Sequence, residues 1–154
     1  MAPLSFAEAR ETVIRTVRGA RSAPAVEEVA LADGAGRVLA EPIAADRDSP
    51  AVARSVRDGY AIRASDVAGE LAIIGEVRAG ECFAGTVGQG QAVEIMTGAP
   101  IPSGADAVVM VEHTRAANGR VRIDSPAEPL QFINTRGCEA AAGEVVLRPG
   151  KRLD

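Results

Sequence analysis

Glycine and proline break the most apolar part of this chain into pieces too short to be helices, and that constrains the fold more than any other feature. Within and just before the run Glu94–Glu112, EIMTGAPIPSGADAVVMVE, the segments Ala92–Met96 and Ala107–Val111 are short apolar stretches rich in branched side chains. A helix of at least ~10 residues does not fit such stretches, so both are predicted to be buried strands. Between them, Thr97-Gly98-Ala99-Pro100-Ile101-Pro102-Ser103-Gly104 carries two prolines, which fix φ and remove backbone donors, and two glycines, which admit angles other residues resist. The expectation is a rigid, shaped loop. Two uses of it stay open: Thr97 bonds its own backbone in a tight structural turn, or the Thr97 hydroxyl and Gly98 amide point outward from the strand end as donors to an oxyanion.

The same punctuation recurs along the chain. Leu71–Val77 reads as a strand whose internal glycine suggests a bulge, and Val121–Ile123 as the return strand of a hairpin turned by Asn118-Gly119. Val26–Leu31 alternates enough for a strand, Gly36–Glu41 has the length of a short helix ended by Pro42, and Asp66–Gly69 reads as a turn. Asp46-Arg47-Asp48-Ser49-Pro50 is, on local chemistry, a charged surface bend. Asp58-Gly59 reads as a turn dipeptide, with Gly59 tolerating positive φ, followed by a short strand. The one clear helix is N-terminal: Ser5 and Glu8 form a capping-box pattern, Phe6, Ala9, Val13 and Val17 recur at helical spacing, and Gly19 is a natural stop. Residues 20–25 read as a linker. The fold class is therefore mainly β with α: an N-terminal helix and linker over 1–25, a β-rich body over 26–139, and a C-terminal strand segment over 140–154.

Composition narrows the function. With 3% aromatics and no Trp, the core is built from Val, Ile, Leu and Ala. A net charge of -4 with scattered basic residues excludes a nucleic-acid face, which needs concentrated positive charge. No apolar run approaches the ~18 residues of a membrane span, so a cytoplasmic protein is expected. Cys82 and Cys138 have no CxxC spacing and His113 is the single histidine, which rules out a four-ligand zinc site of Cys and His; free thiols are expected.

Three separated blocks then carry a resemblance. MTGAPIPSGADAVVMVE, the pair Asp46–Pro50 and Ser55–Ala61 (SVRDGYA), and Val77–Glu81 occur in the order and spacing of the molybdopterin molybdenumtransferase family, the MoeA and gephyrin E-domain proteins. The chain resembles the N-terminal and linker region of those enzymes, from about Leu4 to Leu153. The resemblance implies that the N-terminal helix joins the C-terminal segment in an elongated dimerisation domain. It also implies an activity in molybdenum cofactor biosynthesis, inserting molybdate into adenylylated molybdopterin with the help of Mg²⁺.

The resemblance further implies site roles. Asp58, Thr97 and Glu139 are the expected catalytic residues, Ser55, Gly98 and Arg136 the expected substrate-binding residues, and Asp58 with Glu139 the expected Mg²⁺ ligands. Where the family reads close to R-x-R-G-E-D, this chain has Asn134, Arg136, Gly137, Cys138 and Glu139; Arg57, beside Asp58, stands where the family has Met and is expected to pair with that carboxylate. The α/β domain that binds the pterin nucleotide has no counterpart here, so the chain is expected to form one wall of a cleft, as a homodimer or with a protein partner, and to be inactive alone. The alternative is a catalytically inactive binding or scaffold module that keeps the fold and a protein-contact surface.

Overall fold

A computed structural model describes residues 3–20, 25–67 and 69–154. The elements in chain order are α1 (Phe6–Ala20), β1 (Ile43–Ala44), β2 (Arg54–Ser55), β3 (Gly59–Ile62), β4 (Glu70–Val77) and β5 (Gln91–Ile95). They continue with β6 (Ala107–Met110), β7 (Thr114–Ala117), β8 (Arg120–Ile123), β9 (Ile133–Asn134) and β10 (Val145–Leu147), and three short 3-10 turns intervene. The expected class, one N-terminal helix and a β-rich body, is what the chain adopts. Contacts divide it into two units, Met1–Glu41 with Pro149–Asp154, and Pro42–Arg148.

In the first unit, α1 begins at the expected capping box. The Ser5 amide and hydroxyl donate to Glu8 Oε2 at 2.9 and 2.7 Å, and the Glu8 amide donates to Ser5 Oγ at 3.3 Å. Its apolar stripe is open: Phe6, Val13 and Val17 are all more than half exposed. Two local expectations fail here. Residues 26–31 form no strand, because none of the described segments offers them a ladder. Gly36–Glu41 forms no helix: Gly36 and Leu39 donate to Leu153 and Lys151 carbonyls at 2.7 and 2.8 Å, and Gly150 and Leu153 donate back to Leu39 and Arg37, both at 2.8 Å. Gly36 within the stretch weakens a helix by about 1 kcal/mol, and residues 150–153 satisfy the same backbone groups instead. These pairings group residues 26–41 with the first unit rather than with the β-rich body. The linker proposed for 20–25 falls largely on residues 21–24, outside the described residues.

The second unit is built on a six-stranded sheet of order β6-β3-β5-β4-β8-β7, antiparallel except for β4–β5. The two apolar runs flanking the glycine-proline loop are β5 and β6, and they do not pair with each other. β3 lies between them, with Tyr60 opposite Glu94 on one side and Val109 on the other. Both faces are covered. Tyr60, Ile62, Ala92, Ala107 and Val109 pack on one, with Leu71, Val121 and Ile123; Ala61, Val93, Ile95 and Val108 pack on the other, with Val77 and Val87. Strands buried on both faces read as continuous apolar runs rather than alternating ones, which is why 107–111 shows no period of two. Burial of each branched side chain contributes about 1.5–3 kcal/mol, so an aliphatic core suffices without Trp.

Other expectations hold. β4 carries its irregularity between Ile73 and Glu76, around Gly75, and Asn118 and Gly119, at φ 51° and 73°, turn β7 into β8 with two residues. The turn expected at 66–69 is preceded by a 3-10 turn at Ala64–Asp66, and Ala68 lies outside the described residues. Gly59 is the first residue of β3, buried and at φ 159°, rather than a residue of a surface turn. Its missing side chain is what counts. A Cβ there would strike the Val109 carbonyl oxygen, lie 2.8 Å from the Val109 carbonyl carbon and 3.0 Å from Met110 Cα, all backbone atoms of the neighbouring strand.

Gly59→Ala therefore has no flexible neighbour to push aside. It should destabilise the second unit by on the order of 3 kcal/mol and lower Tm by roughly 10 °C in a thermal melt.

Candidate functional site

The site begins where β5 ends. Met96–Ala99 is a turn closed by the Ala99 amide on the Met96 carbonyl at 3.0 Å, with Gly98 at φ 83°, the positive angle a type II turn requires at its third residue. Because β3 runs antiparallel beside β5, the residue just before β3 meets this turn. Asp58 Oδ1 accepts hydrogen bonds from the Thr97 amide at 2.6 Å and the Thr97 hydroxyl at 2.7 Å. These two bonds, the amide's the stronger, hold the Asp58 carboxyl below its ordinary value of 3.8. On the other side the Gly98 amide donates to the Ser55 carbonyl at 2.8 Å, and the Ser55 amide donates to the Ala99 carbonyl at 3.0 Å.

Neither open reading of the loop is what forms. Thr97 does not bond its own backbone, and neither its hydroxyl nor the Gly98 amide is presented to solvent as a free donor; all are spent on a carboxylate and a carbonyl from the β2–β3 segment. Ser55 is likewise occupied: its buried hydroxyl donates to the Arg57 carbonyl at 2.5 Å and accepts from the Arg57 amide at 3.2 Å. The expected Arg57–Asp58 pair is absent. Arg57 donates to the Val56 carbonyl at 2.9 Å and its guanidinium lies 5.8 Å from the Phe132 ring centroid, so the side chain is engaged elsewhere.

A second cluster stands beside the first. Asp48 accepts from Arg136 Nε at 2.5 Å and from the Ala142 amide at 2.8 Å, which lower its carboxyl pKa, the backbone bond more strongly. Ser49 donates its hydroxyl to Glu139 Oε2 at 2.9 Å, and the Glu139 amide donates to the Ser49 carbonyl at 2.9 Å. An open groove of about 780 Å³ runs between the clusters, and Ser55, Thr97, Gly98 and Glu139 all line it. Asp58 and Arg136 are not among the lining residues, but each is bonded to one: Asp58 to Thr97, Arg136 to Asp48. The described residues contain no group of three or more His, Cys, Asp or Glu side chains arranged for a metal ion.

Sequence reasoning missed the contribution of Asp46–Pro50. The bend that local chemistry assigns to a plain surface turn lines the groove along its whole length. Its signal lay in its place within the first resemblance block rather than in its composition. Arg54 was also missed; it lines the groove opposite Asn134, its partner across the β2–β9 pair. Cys82 and Cys138 are free and exposed, and among the described residues no helix is long and apolar enough to cross a membrane.

Residues 4–154 match the family model for the MoeA N-terminal region, domains I and II. The chain belongs to this family. Curated relatives within reach of the MoeA N-terminal region include a molybdopterin molybdenumtransferase of Staphylococcus aureus strain MSSA476, 39% identical over 152 residues, covering 94% of this chain and 36% of the relative. One of Staphylococcus epidermidis strain RP62A is 40% identical over 131 residues, covering 80% of this chain and 31% of the relative. Among solved structures, a molybdopterin biosynthesis moeA protein from Pyrococcus horikoshii OT3 superposes with a TM-score of 0.79 at 40% identity, over 83% of this chain and 36% of that one. The chain spans about a third of the length of the relatives it matches.

The Thr97–Asp58 bonds tie β3 to the loop and carry a pH signature. A carboxyl whose pKa is depressed by folding stabilises the native state above its unfolded value of 3.8 and stops doing so as pH falls through its lower native value. Asp58→Asn should thus melt below the wild type from about pH 7 to about pH 5, and the gap should close as pH falls below that range in paired thermal melts.

Proposed function

We propose that this chain serves molybdenum cofactor biosynthesis as the N-terminal part of a molybdopterin molybdenumtransferase, supplying one wall of the cleft in which molybdate is inserted into adenylylated molybdopterin. The observation that carries the reading is the groove itself: Thr97, Gly98, Ser55 and Glu139, from segments far apart in sequence, line one open surface in a chain whose family match runs over residues 4–154. In this reading the remaining wall, with the pterin-nucleotide pocket, comes from the α/β domain that the longer relatives contain. The exposed apolar stripe of α1 supports a homodimer or a protein partner, and the activity is assigned to the cytoplasm.

The residues have distinct tasks. Thr97 holds Asp58 through two donors, so the carboxylate stays ionised and fixed in direction at the loop's base. Glu139, positioned by the Ser49 hydroxyl, puts a carboxylate in the groove. Asp58 Oδ2 and Glu139 Oε1 accept no hydrogen bond from the described residues, and they are hard oxygen donors of the kind Mg²⁺ takes when substrate phosphates and water complete its shell. When bound, Mg²⁺ would neutralise phosphate charge; Asp58 and Glu139 are the residues that would hold it. Arg136 keeps Asp48 in place and with it the bend that forms the groove's far side.

A non-catalytic binding module is the second reading, and one observation favours it: the loop donors are satisfied internally, as in a structural turn. A domain exchange separates the two. The region of the Staphylococcus aureus relative that matches this chain is replaced by residues 4–154, and molybdate-dependent cofactor formation is measured in the purified chimera. The transferase reading expects turnover, with Thr97→Ala lowering it about tenfold by removing the hydroxyl bond to Asp58 while the backbone amide bond remains. A folded chimera that forms no more cofactor than the truncated relative alone would overturn it in favour of the binding module.

A further inference from the structure

We propose that Arg54 and Asn134, facing each other across the β2–β9 pair, form the anion-recognition site of the groove and bind a tetrahedral oxyanion, phosphate in character. The inference deepens the transferase reading by naming the substrate group this wall holds and the residues that hold it.

Most of the groove's donors are already committed. The loop amides and hydroxyls that a sequence would offer to an anion are committed elsewhere: the Thr97 amide and hydroxyl to Asp58, the Gly98 amide to the Ser55 carbonyl, the Ser55 hydroxyl to the Arg57 carbonyl, and the Ser49 hydroxyl to Glu139. Two of the cations at the groove are neutralised. Arg47 makes a forked pair with Asp46, Nε to Oδ1 at 3.2 Å and a terminal nitrogen to Oδ2 at 2.9 Å, and Arg136 is bonded to Asp48. Arg54 lines the same groove and has no carboxylate partner among the described residues.

Placement then supplies the second donor. Arg54 and Asn134 are register partners in an antiparallel pair, so their side chains emerge on the same face about 5 Å apart at Cβ. Both line the groove. A guanidinium offers a planar fork matched to two oxygens of a phosphate, and an amide NH₂ beside it can take a third. β2 is also anchored on its other side, where Arg54 bridges to Pro100 and the Ala53 carbonyl accepts from the Ile101 amide at 2.9 Å. The fork is therefore carried on backbone fixed from two directions, which lowers the ordering cost of binding. Glu139 in the same groove keeps the site from being a general anion trap: it repels a bare anion and favours one accompanied by a cation or presented in a fixed orientation.

The test uses the full chain and two probes, inorganic phosphate and adenosine monophosphate, titrated against sodium chloride at matched ionic strength, with amide NMR shifts and thermal melts as readouts. The expected result is binding of at least one probe, with shifts centred on β2 and β9 and a Kd that weakens about tenfold in Arg54→Gln and less in Asn134→Ala. Arg54→Lys, which keeps the charge and loses the fork, should fall between wild type and Arg54→Gln; Arg120→Gln, on β8, should bind as wild type does. Binding of phosphate alone assigns a free oxyanion, and tighter binding of adenosine monophosphate assigns a nucleotide phosphoryl group. Equal binding by wild type and a folded Arg54→Gln protein, or no response beyond that to chloride, would overturn the proposal. Its failure is distinct from that of the transferase reading: an active chimera unaffected by Arg54→Gln removes this site and leaves the activity, whereas phosphate bound through Arg54 in an inactive chimera does the reverse.

Discussion

The insertion of β3 between β5 and β6 is the constraint from which the rest of the second unit follows. Its four residues pair with β6 along one edge, Gly59–Ala61 pair with β5 along the other, and all four are buried. Gly59 has to be glycine because the Val109 backbone occupies the space a Cβ would take. Once β3 is seated, Asp58 is delivered to the end of β5 and the glycine-proline loop is carried across from β5 to β6, over the strand between them. Site and core are thus two parts of one packing arrangement.

That arrangement explains why a loop with such open-looking chemistry is closed in practice. Thr97 and Gly98 turn their donors back onto the segment 55–58, and the result is a rigid edge to the groove rather than an anion nest. The charges that face the groove are mostly paired, Arg47 with Asp46 and Arg136 with Asp48, which fixes the bend at 46–50 without leaving a broad field of one sign. Exposed pairs of this kind contribute little to stability individually; their effect is geometric, holding both carboxylates and guanidinia in one orientation.

How much was legible depended on whether the deciding partner was near in sequence. The capping box at Ser5 and Glu8, the Asn118-Gly119 turn and the bulge at Gly75 are all set by neighbours within a few residues, and each formed as expected. The runs at 92–96 and 107–111 were readable as buried strands because two-sided burial leaves an unbroken apolar stretch. What lay between them was not readable, since nothing local to Gly59–Ile62 specifies which strands it will join. Residues 36–41 looked helical by length and form no helix because residues 150–153 supply their hydrogen bonds. The candidate site followed the same rule. Thr97 finds Asp58 at a distance of 39 positions, and Arg57, adjacent to Asp58 in sequence, points away from it. Asp58, Thr97 and Glu139 were found through a pattern shared with longer relatives; Arg54 and the bend at 46–50 became visible only once the groove had a shape.

The pairing of 36–39 with 150–153 bears on how the polypeptide is made. On the ribosome the earlier strand emerges with nothing to bond to, and it must wait until everything between has been synthesised. The body from Pro42 to Arg148 can meanwhile complete its own ladders, with β1 and β10 joining its two ends. Maturation therefore runs from the middle outward: residues 36–39 are fixed in place only after the sheet that follows them, and deleting residues 150–153 would leave a finished sheet with the 36–39 segment unpaired.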